Sequence, residues 1–369
     1  MSIEQFSGKG RLADTGEGIT GDELQLAARN HGMPLEALRY DLTPAGLHYV
    51  LVHYDIPAAS ATNWRLTVDG CVEQPLSFGM TELRAMGRQT VRVTLECAGN
   101  GRAGLQPRPI SQPWLMEAVG TAEWTGVPLA ALIRAAGIRK DAIDVVFTGA
   151  DHGFERGIEQ DYQRGLTVTE ALDSGAIVAW EMNGAPLPPQ HGYPLRLIMP
   201  GWYGMASVKW LRSIELIDHE FTGYQNAVAY RIRQEPNEVG VGITRIEPRA
   251  LLIPPGHPDF MSRHRFVPAG PIVLQGRAWS GWAPIERVEV SVDAGVSWQD
   301  AKLDADSNDL SWRGFSFDWD AVPGEHVLTV RAHDASGRVQ PIEAPWNRGG
   351  FANNSAQRIT VLVLSQPSA

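Results

Sequence analysis

The periodicity of apolar residues changes once along the chain, near Asn237, and that change constrains the fold more than any single motif. Beyond it Val288, Val290 and Val292 alternate with polar residues, as do Phe315, Phe317 and Trp319, and then Leu328, Val330 and Ala332. A period of two belongs to strands with one buried face, and about seven such runs bounded by turns predict a β-sandwich. Before the change, from Leu47 to about Tyr230, strand-like runs at 64–68, 91–97 and 145–148 alternate with helical ones. In the helical run 129–136, Leu129, Leu132, Ile133 and Ala136 share one face, with Pro128 at the first turn and Gly137 just past the end. The expected fold class is therefore α+β followed by an all-β sandwich. The expected units are an arm at 1–35 with a short helix over 22–30, a mixed domain at 36–235 and the sandwich at 236–369.

At roughly 150 residues per domain, 369 residues suit two domains and an arm. The net charge of −10 repels a polyphosphate backbone, which argues against nucleic acid as a partner. No apolar run reaches the roughly 18 to 20 residues of a bilayer span, so no membrane partner is expected. The first ten residues lack the apolar stretch of a secretory signal, and a cytoplasmic location is expected, with a periplasmic one only for a chain whose leader was trimmed. Cys71 and Cys97 are too few for a disulfide framework and read as free thiols.

The segment from Gly99 to Gly104 matches G-x-G-x-x-G after a strand-like run. Pro107 and Pro109 follow so closely that the helix a dinucleotide fingerprint must open is prevented. Val91, Val93, Leu95 and Cys97 alternate on one face, placing Cys97 at a strand end where a Gly-rich loop begins. A lone Cys there is commonly a small buried hydrophobe. Arg102, five residues on, is a reason to expect a depressed thiol pKa and a thiolate suited to metal ligation or nucleophilic attack. No zinc-type spacing occurs, whether at His48 and His53 or at His257 and His264. The densest polar segment runs from Glu181 to Arg196 and is closed by Ser207 and Lys209. There His191, Arg196 and Lys209 punctuate apolar, Pro-rich surroundings, either holding a phosphate or pairing with surface acids.

The run Thr94-Leu95-Glu96-Cys97-Ala98-Gly99-Asn100-Gly101-Arg102 resembles the molybdenum-ligating loop of the sulfite oxidase family. The block from Glu181 to Trp210 resembles that family's cofactor-clasping segment, and similarity extends through residues 114–129 and to Trp346-Asn347-Arg348-Gly349. The resemblance implies a molybdopterin-binding catalytic domain and an immunoglobulin-like domain through which members form homodimers. It implies molybdenum with one pyranopterin, no haem, and Cys97 as the protein thiolate on the metal; thiolate is a fitting donor for such a centre. Position by position it implies that His53, Asp151, His191, Arg196, Ser207 and Lys209 contact the pterin and its phosphate. Arg102, Trp114, Tyr230 and Arg348 resemble the residues lining the oxyanion pocket. The chain departs from the pattern at Leu51, where an arginine is usual, and at Ile110, where a lysine is common.

The function so implied is oxidation of sulfite to sulfate, with electrons passed to an external acceptor. The two departures motivate a second reading, reduction of an S-oxide, N-oxide or nitrate on the same cofactor. A reading of another class is a non-enzymatic binding module built on Trp279, Trp282, Trp298, Trp312 and Trp319 of the sandwich.

Overall fold

A computed structural model describes residues 10–305 and 311–365, together with Ile3. The strands of the first half are β1 (Leu66–Gly70), β2 (Leu76–Phe78), β3 (Gln89–Glu96), β4 (Val119–Pro128), β5 (Asp144–Glu155), β6 (Ile158–Thr167), β7 (Ile177–Met182), β8 (Ala185–Pro186), β9 (Arg196–Ile198) and β10 (Leu211–Ile217). They form two sheets. One has the order β2-β1-β10-β5-β6, with β1 and β10 parallel; the other runs β3-β4-β7-β8, with β9 beside β7. The helices are α1 (Gly21–Arg29), α2 (Met80–Ala85), α3 (Leu129–Ala136) and α4 (Val168–Asp173). The apolar face of α3 is buried as its spacing requires, and Gly137 ends it at φ 72°. Pro128 stands one residue earlier than expected, as the last residue of β4 and the cap of the helix, because β4 runs straight into it.

Helix α1 starts with a capping box: Thr20 accepts from the Glu23 backbone while Glu23 accepts from the Thr20 backbone. The arm does not hang free. Glu23 is buried against Arg108, whose Nε donates to it at 2.9 Å and whose other nitrogens donate to the Glu17 and Gly18 carbonyls. Asn30 donates to Gln112 at 3.0 Å, and Met33 is fully buried.

The second half adds β11 (Arg231–Ile232) and β12 (Val241–Gly242) as a small ribbon, then β13 (Arg249–Leu252), β14 (His257–Pro258), β15 (Arg265–Pro268), β16 (Gly270–Trp279), β17 (Ile285–Ser291), β18 (Gln299–Asp300), β19 (Lys302–Leu303), β20 (Arg313–Ala321), β21 (Gly324–Asp334) and β22 (Gln357–Leu364). They pack as two sheets, β13-β16-β20-β19 and β14-β15-β22-β21-β17-β18. The alternating residues Val288, Val290, Phe315, Trp319, Leu328, Val330 and Ala332 face one another in the core. More strands appear than the alternation suggested, since two-residue edge pieces carry no periodic signal. Among the described residues no helix is long and apolar enough to cross a membrane.

Candidate active site

Alternation along β3 buries Val93, Leu95 and then Cys97, which is 7% exposed at the strand's end. The chain then turns sharply. Gly101 lies at φ 91°, and a Cβ there would sit 2.9 Å from the Asn353 side chain, so no other residue fits without displacement. Arg102 folds back under the loop: its Nε donates to the Gly349 carbonyl at 2.8 Å and its guanidinium lies 4.9 Å from the Phe351 ring centre. A short 3₁₀ turn, Arg102–Gly104, then gives way to extended chain at Leu105, so the Gly-rich segment opens no α-helix. The prolines at 107 and 109 act as expected.

The loop is held from the sandwich. Asn353 donates to the Gly101 carbonyl at 2.7 Å, and the Ala352 amide donates to the Ala98 carbonyl at 2.8 Å. Glu96, 1% exposed, faces Arg249 at 2.9 Å and accepts from Trp279 Nε1 at 2.8 Å and from Asn100 at 3.0 Å. A fully buried carboxylate persists only with such partners. The signal for this in the sequence was Glu96 itself, an acid at the buried end of an apolar strand; Asn100 is local, but Arg249 and Trp279 lie over 150 residues away and no local pattern names them.

The expectation that Arg102 depresses the Cys97 thiol is corrected. Burial pushes the thiol up and outweighs the opposing pull of Arg102. Deprotonation of Cys97 is therefore favoured by a stronger local charge than Arg102, of the kind a metal ion would supply.

Cys97 lies where two cavities meet. One is a narrow cleft that it lines with His53, Asp151, His191, Arg196, Ser207 and Lys209, the residues expected from the sequence. Tyr162 and Gln190 line it too and were missed, since neither stands out by charge or spacing. Arg196 donates to the His191 and Ser207 carbonyls at 3.1 and 3.3 Å and stacks 4.7 Å from the Trp124 ring centre, while its Nε has no partner. Lys209 Nζ donates to the Leu51 and Gln190 carbonyls at 2.6 and 3.2 Å. Ser207 Oγ accepts from the Met199 amide at 3.0 Å. Among the described residues no carboxylate lies within ion-pair distance of His191, Arg196 or Lys209, so the reading of these cations as surface salt bridges falls. Burial holds His191 well below the ordinary imidazole range, Arg196 at about 10 and Lys209 at about 7, with Arg196 adding to the effect on Lys209. Burial also raises Asp151 to about 6, against the pull of Lys209.

The second cavity is a vestibule of about 720 Å³, lined by Arg102, Trp114, Tyr230 and Arg348 as well as Cys97. Tyr230 follows a π-helical turn, Gln225–Ala229, and its hydroxyl lies 2.9 Å from His53 Nε2. Arg164, also unforeseen, is buried beneath this turn: it donates to the Gln225 carbonyl at 2.6 Å and lies 5.6 Å from the Tyr230 ring centre. Burial holds His53 neutral and keeps the Tyr230 phenol protonated. Among the described residues the tryptophans of the sandwich form no aromatic platform, for Trp279, Trp312 and Trp319 are core residues, Arg331 stacks 4.3 Å from the centre of Trp298 and Arg338 3.8 Å from that of Trp282.

Residues 53–225 match the model of the oxidoreductase molybdopterin binding domain, and residues 242–363 match that of the Mo-co oxidoreductase dimerisation domain. The chain belongs to the sulfite oxidase family of molybdopterin oxidoreductases. It is an enzyme family, and the non-enzymatic reading is set aside. This sulfite oxidase family member is 31% identical over 366 residues to a nitrate reductase [NADPH] of Phytophthora infestans and 30% identical over 361 residues to nitrate reductase [NADH] 1 of Arabidopsis thaliana, covering 90% and 89% of the chain. It spans only 40% and 39% of those relatives' own length. Among solved structures it is similar to the sulfane dehydrogenase SoxCD from Paracoccus pantotrophus, with a TM-score of 0.80, 26% identity and coverage of 96% of this chain and 90% of that one.

The residues present fit the family's cofactor. Arg196 and Lys209, without a carboxylate in ion-pair distance among the described residues, and an orphaned Arg196 Nε suit an anionic group, and the orphaned Asp151 Oδ1 suits a hydrogen-bond donor such as a pterin N–H. Among the described residues no group of three His, Cys, Asp or Glu could hold a metal alone, so a metal at Cys97 would need its other ligands from elsewhere than the side chains, as a cofactor would supply. A pH dependence follows for the cofactor-free chain. Lys209 is depressed from 10.5 to about 7, so the stability this shift provides is present above 10.5 and lost as pH falls through 7. Asp151 is raised from 3.8 to about 6, so its contribution is present below 3.8 and lost as pH rises through 6. Burial depresses His53 and His191 too, so their contribution also falls as pH drops below the ordinary imidazole range. Urea unfolding of this form should therefore show stability declining from alkaline to mildly acidic pH with no minimum near neutrality, and Lys209→Met should flatten the alkaline limb.

Proposed function

We propose that the chain oxidises a sulfur oxyanion, of which sulfite is the simplest, and passes two electrons singly to an external acceptor. The observation that carries this is the position of Cys97, at the junction of a cationic cleft suited to a pterin phosphate and a vestibule whose arginines suit an oxyanion. Cys97 and the cleft residues His53, Asp151, His191, Arg196, Ser207 and Lys209 would hold molybdenum on a pyranopterin, which when bound would supply two-electron redox and oxygen-transfer chemistry. Arg102 and Arg348 neutralise the anion in a partly dehydrated space, where fixed cations act more strongly than in water. Arg102 is held for this by the Gly349 carbonyl, so its orientation is set before substrate arrives. Tyr230 and His53, both neutral, share one hydrogen bond; with His53 Nε2–H donating in it, the Tyr230 hydroxyl can donate its one proton to a substrate oxygen. Trp114 closes the wall beside Cys97.

The likeness to a sulfane dehydrogenase over nearly the whole chain supports a sulfur substrate. A second reading, nitrate reduction, is favoured by the nitrate reductases among its relatives. The dimerisation domain supports a homodimer formed through the sandwich. The expected result for molybdenum-loaded protein is sulfite-dependent reduction of ferricyanide and no oxidation of reduced methyl viologen by nitrate. The reverse pattern would move the assignment to the second reading.

A further inference from the structure

The vestibule is far larger than an inorganic oxyanion requires. Its volume of about 720 Å³ falls in the range of roughly 300–1,000 Å³ found for sites that enclose drug-sized organic ligands. Its lining is mixed, with acids such as Asp22 and Glu155 and further arginines toward the rim. Arg102 and Arg348 have no carboxylate within ion-pair distance among the described residues, and Leu51, Ile110, Phe154 and Phe351 present carbon. Leu51 lines the cleft as well, which puts an aliphatic side chain at the junction beside Cys97. Phe154 is 45% exposed, an aromatic surface left open within a cavity. Sulfite and nitrate have no carbon to place against these side chains. A substrate that buries apolar surface there gains about 25 cal/mol for each Å² removed from water.

We propose that the substrate is an organic sulfinate, R–SO₂⁻, which the enzyme oxidises to the sulfonate R–SO₃⁻. This narrows the sulfur-oxidation reading and rests on it. A sulfinate is sulfite with one oxygen replaced by carbon. It keeps the lone pair on sulfur, carries a single negative charge, and brings an apolar body. The reaction forms one S–O bond with oxygen from water and releases two protons and two electrons, and the electrons leave to the same external one-electron acceptor. The charged head sits with Arg102 and Arg348, and the R group packs against Leu51, Ile110 and Phe351.

The test uses molybdenum-loaded enzyme with ferricyanide as acceptor and sulfite, methanesulfinate and benzenesulfinate as substrates, with the sulfonate product identified by mass spectrometry. kcat/KM is expected to rise from sulfite through methanesulfinate to benzenesulfinate by about tenfold or more, since each methylene-sized increment in a fitted apolar pocket is worth roughly 10-fold. Calorimetric titration should show benzenesulfonate binding at least about tenfold more tightly than sulfate, a readout independent of turnover. Leu51→Arg, and Ile110→Lys as a second variant should the first fail to fold, should shift the preference back toward sulfite. Oxidation of sulfite with benzenesulfinate neither oxidised nor inhibitory would overturn the sulfinate assignment and leave sulfur oxidation standing. Turnover of nitrate with no sulfur compound oxidised would overturn both.

Discussion

Cys97→Ser is expected to lower sulfite turnover by more than about 100-fold, beyond the 10–100-fold typical of residues that merely support a metal ligand. The alcohol of serine is a poorer donor to this class of metal than a thiolate, and burial opposes its ionisation even more than it opposes that of the thiol. The cleft cations are untouched, so the variant should still hold the pterin. Pterin fluorescence after denaturation, together with metal analysis, separates loss of chemistry from loss of cofactor. Turnover within threefold of the parent at full molybdenum content would remove Cys97 from the centre.

Arg249→Ala should produce the largest loss of stability of any single change considered. It leaves Glu96 charged and buried without its cation, for which about 3–5 kcal/mol is typical. Trp279 and Asn100 still donate to Glu96, and they keep the penalty toward the lower end. The paired change Glu96→Leu with Arg249→Met removes both charges and should recover most of the loss, as buried pairs replaced by apolar residues often do. Denaturant unfolding measures both. Activity provides a second signature, because Glu96 is bonded to Cys97 through the chain. Arg249→Ala should lower kcat in protein that remains folded, although Arg249 lies in the sandwich. A variant as active and as stable as the parent would show that the pair does not set the loop.

The sequence carried the fold where packing follows a local period. The apolar face of α3 and the alternation in β17, β20 and β21 recur every few residues and needed no distant partner. The candidate site was legible for a different reason. Cys97, Arg102, His191, Arg196 and Lys209 sit in two contiguous stretches whose spacing matches a family pattern, and the fold brings those stretches to one cleft and its vestibule. What escaped was set by three-dimensional contact alone. Tyr162 and Gln190 are unremarkable in their own strand and loop, Arg164 matters through the turn it underlies, and Arg249 acquires its role by meeting Glu96. The state of the Cys97 thiol was misjudged because sequence shows a neighbouring charge and does not show how little water reaches the sulfur.

The helix at the start of the described chain bears on how such enzymes are prepared. Leu26, Arg29 and Asn30 form part of the vestibule wall, and the Glu23–Arg108 pair pins that wall to the segment just beyond the Cys97 loop. A fusion partner, a protease nick or a shortened start ahead of Asn30 thus alters the doorway through which substrate passes. Two preparations differing only there would share every catalytic side chain and still differ in how substrate reaches them.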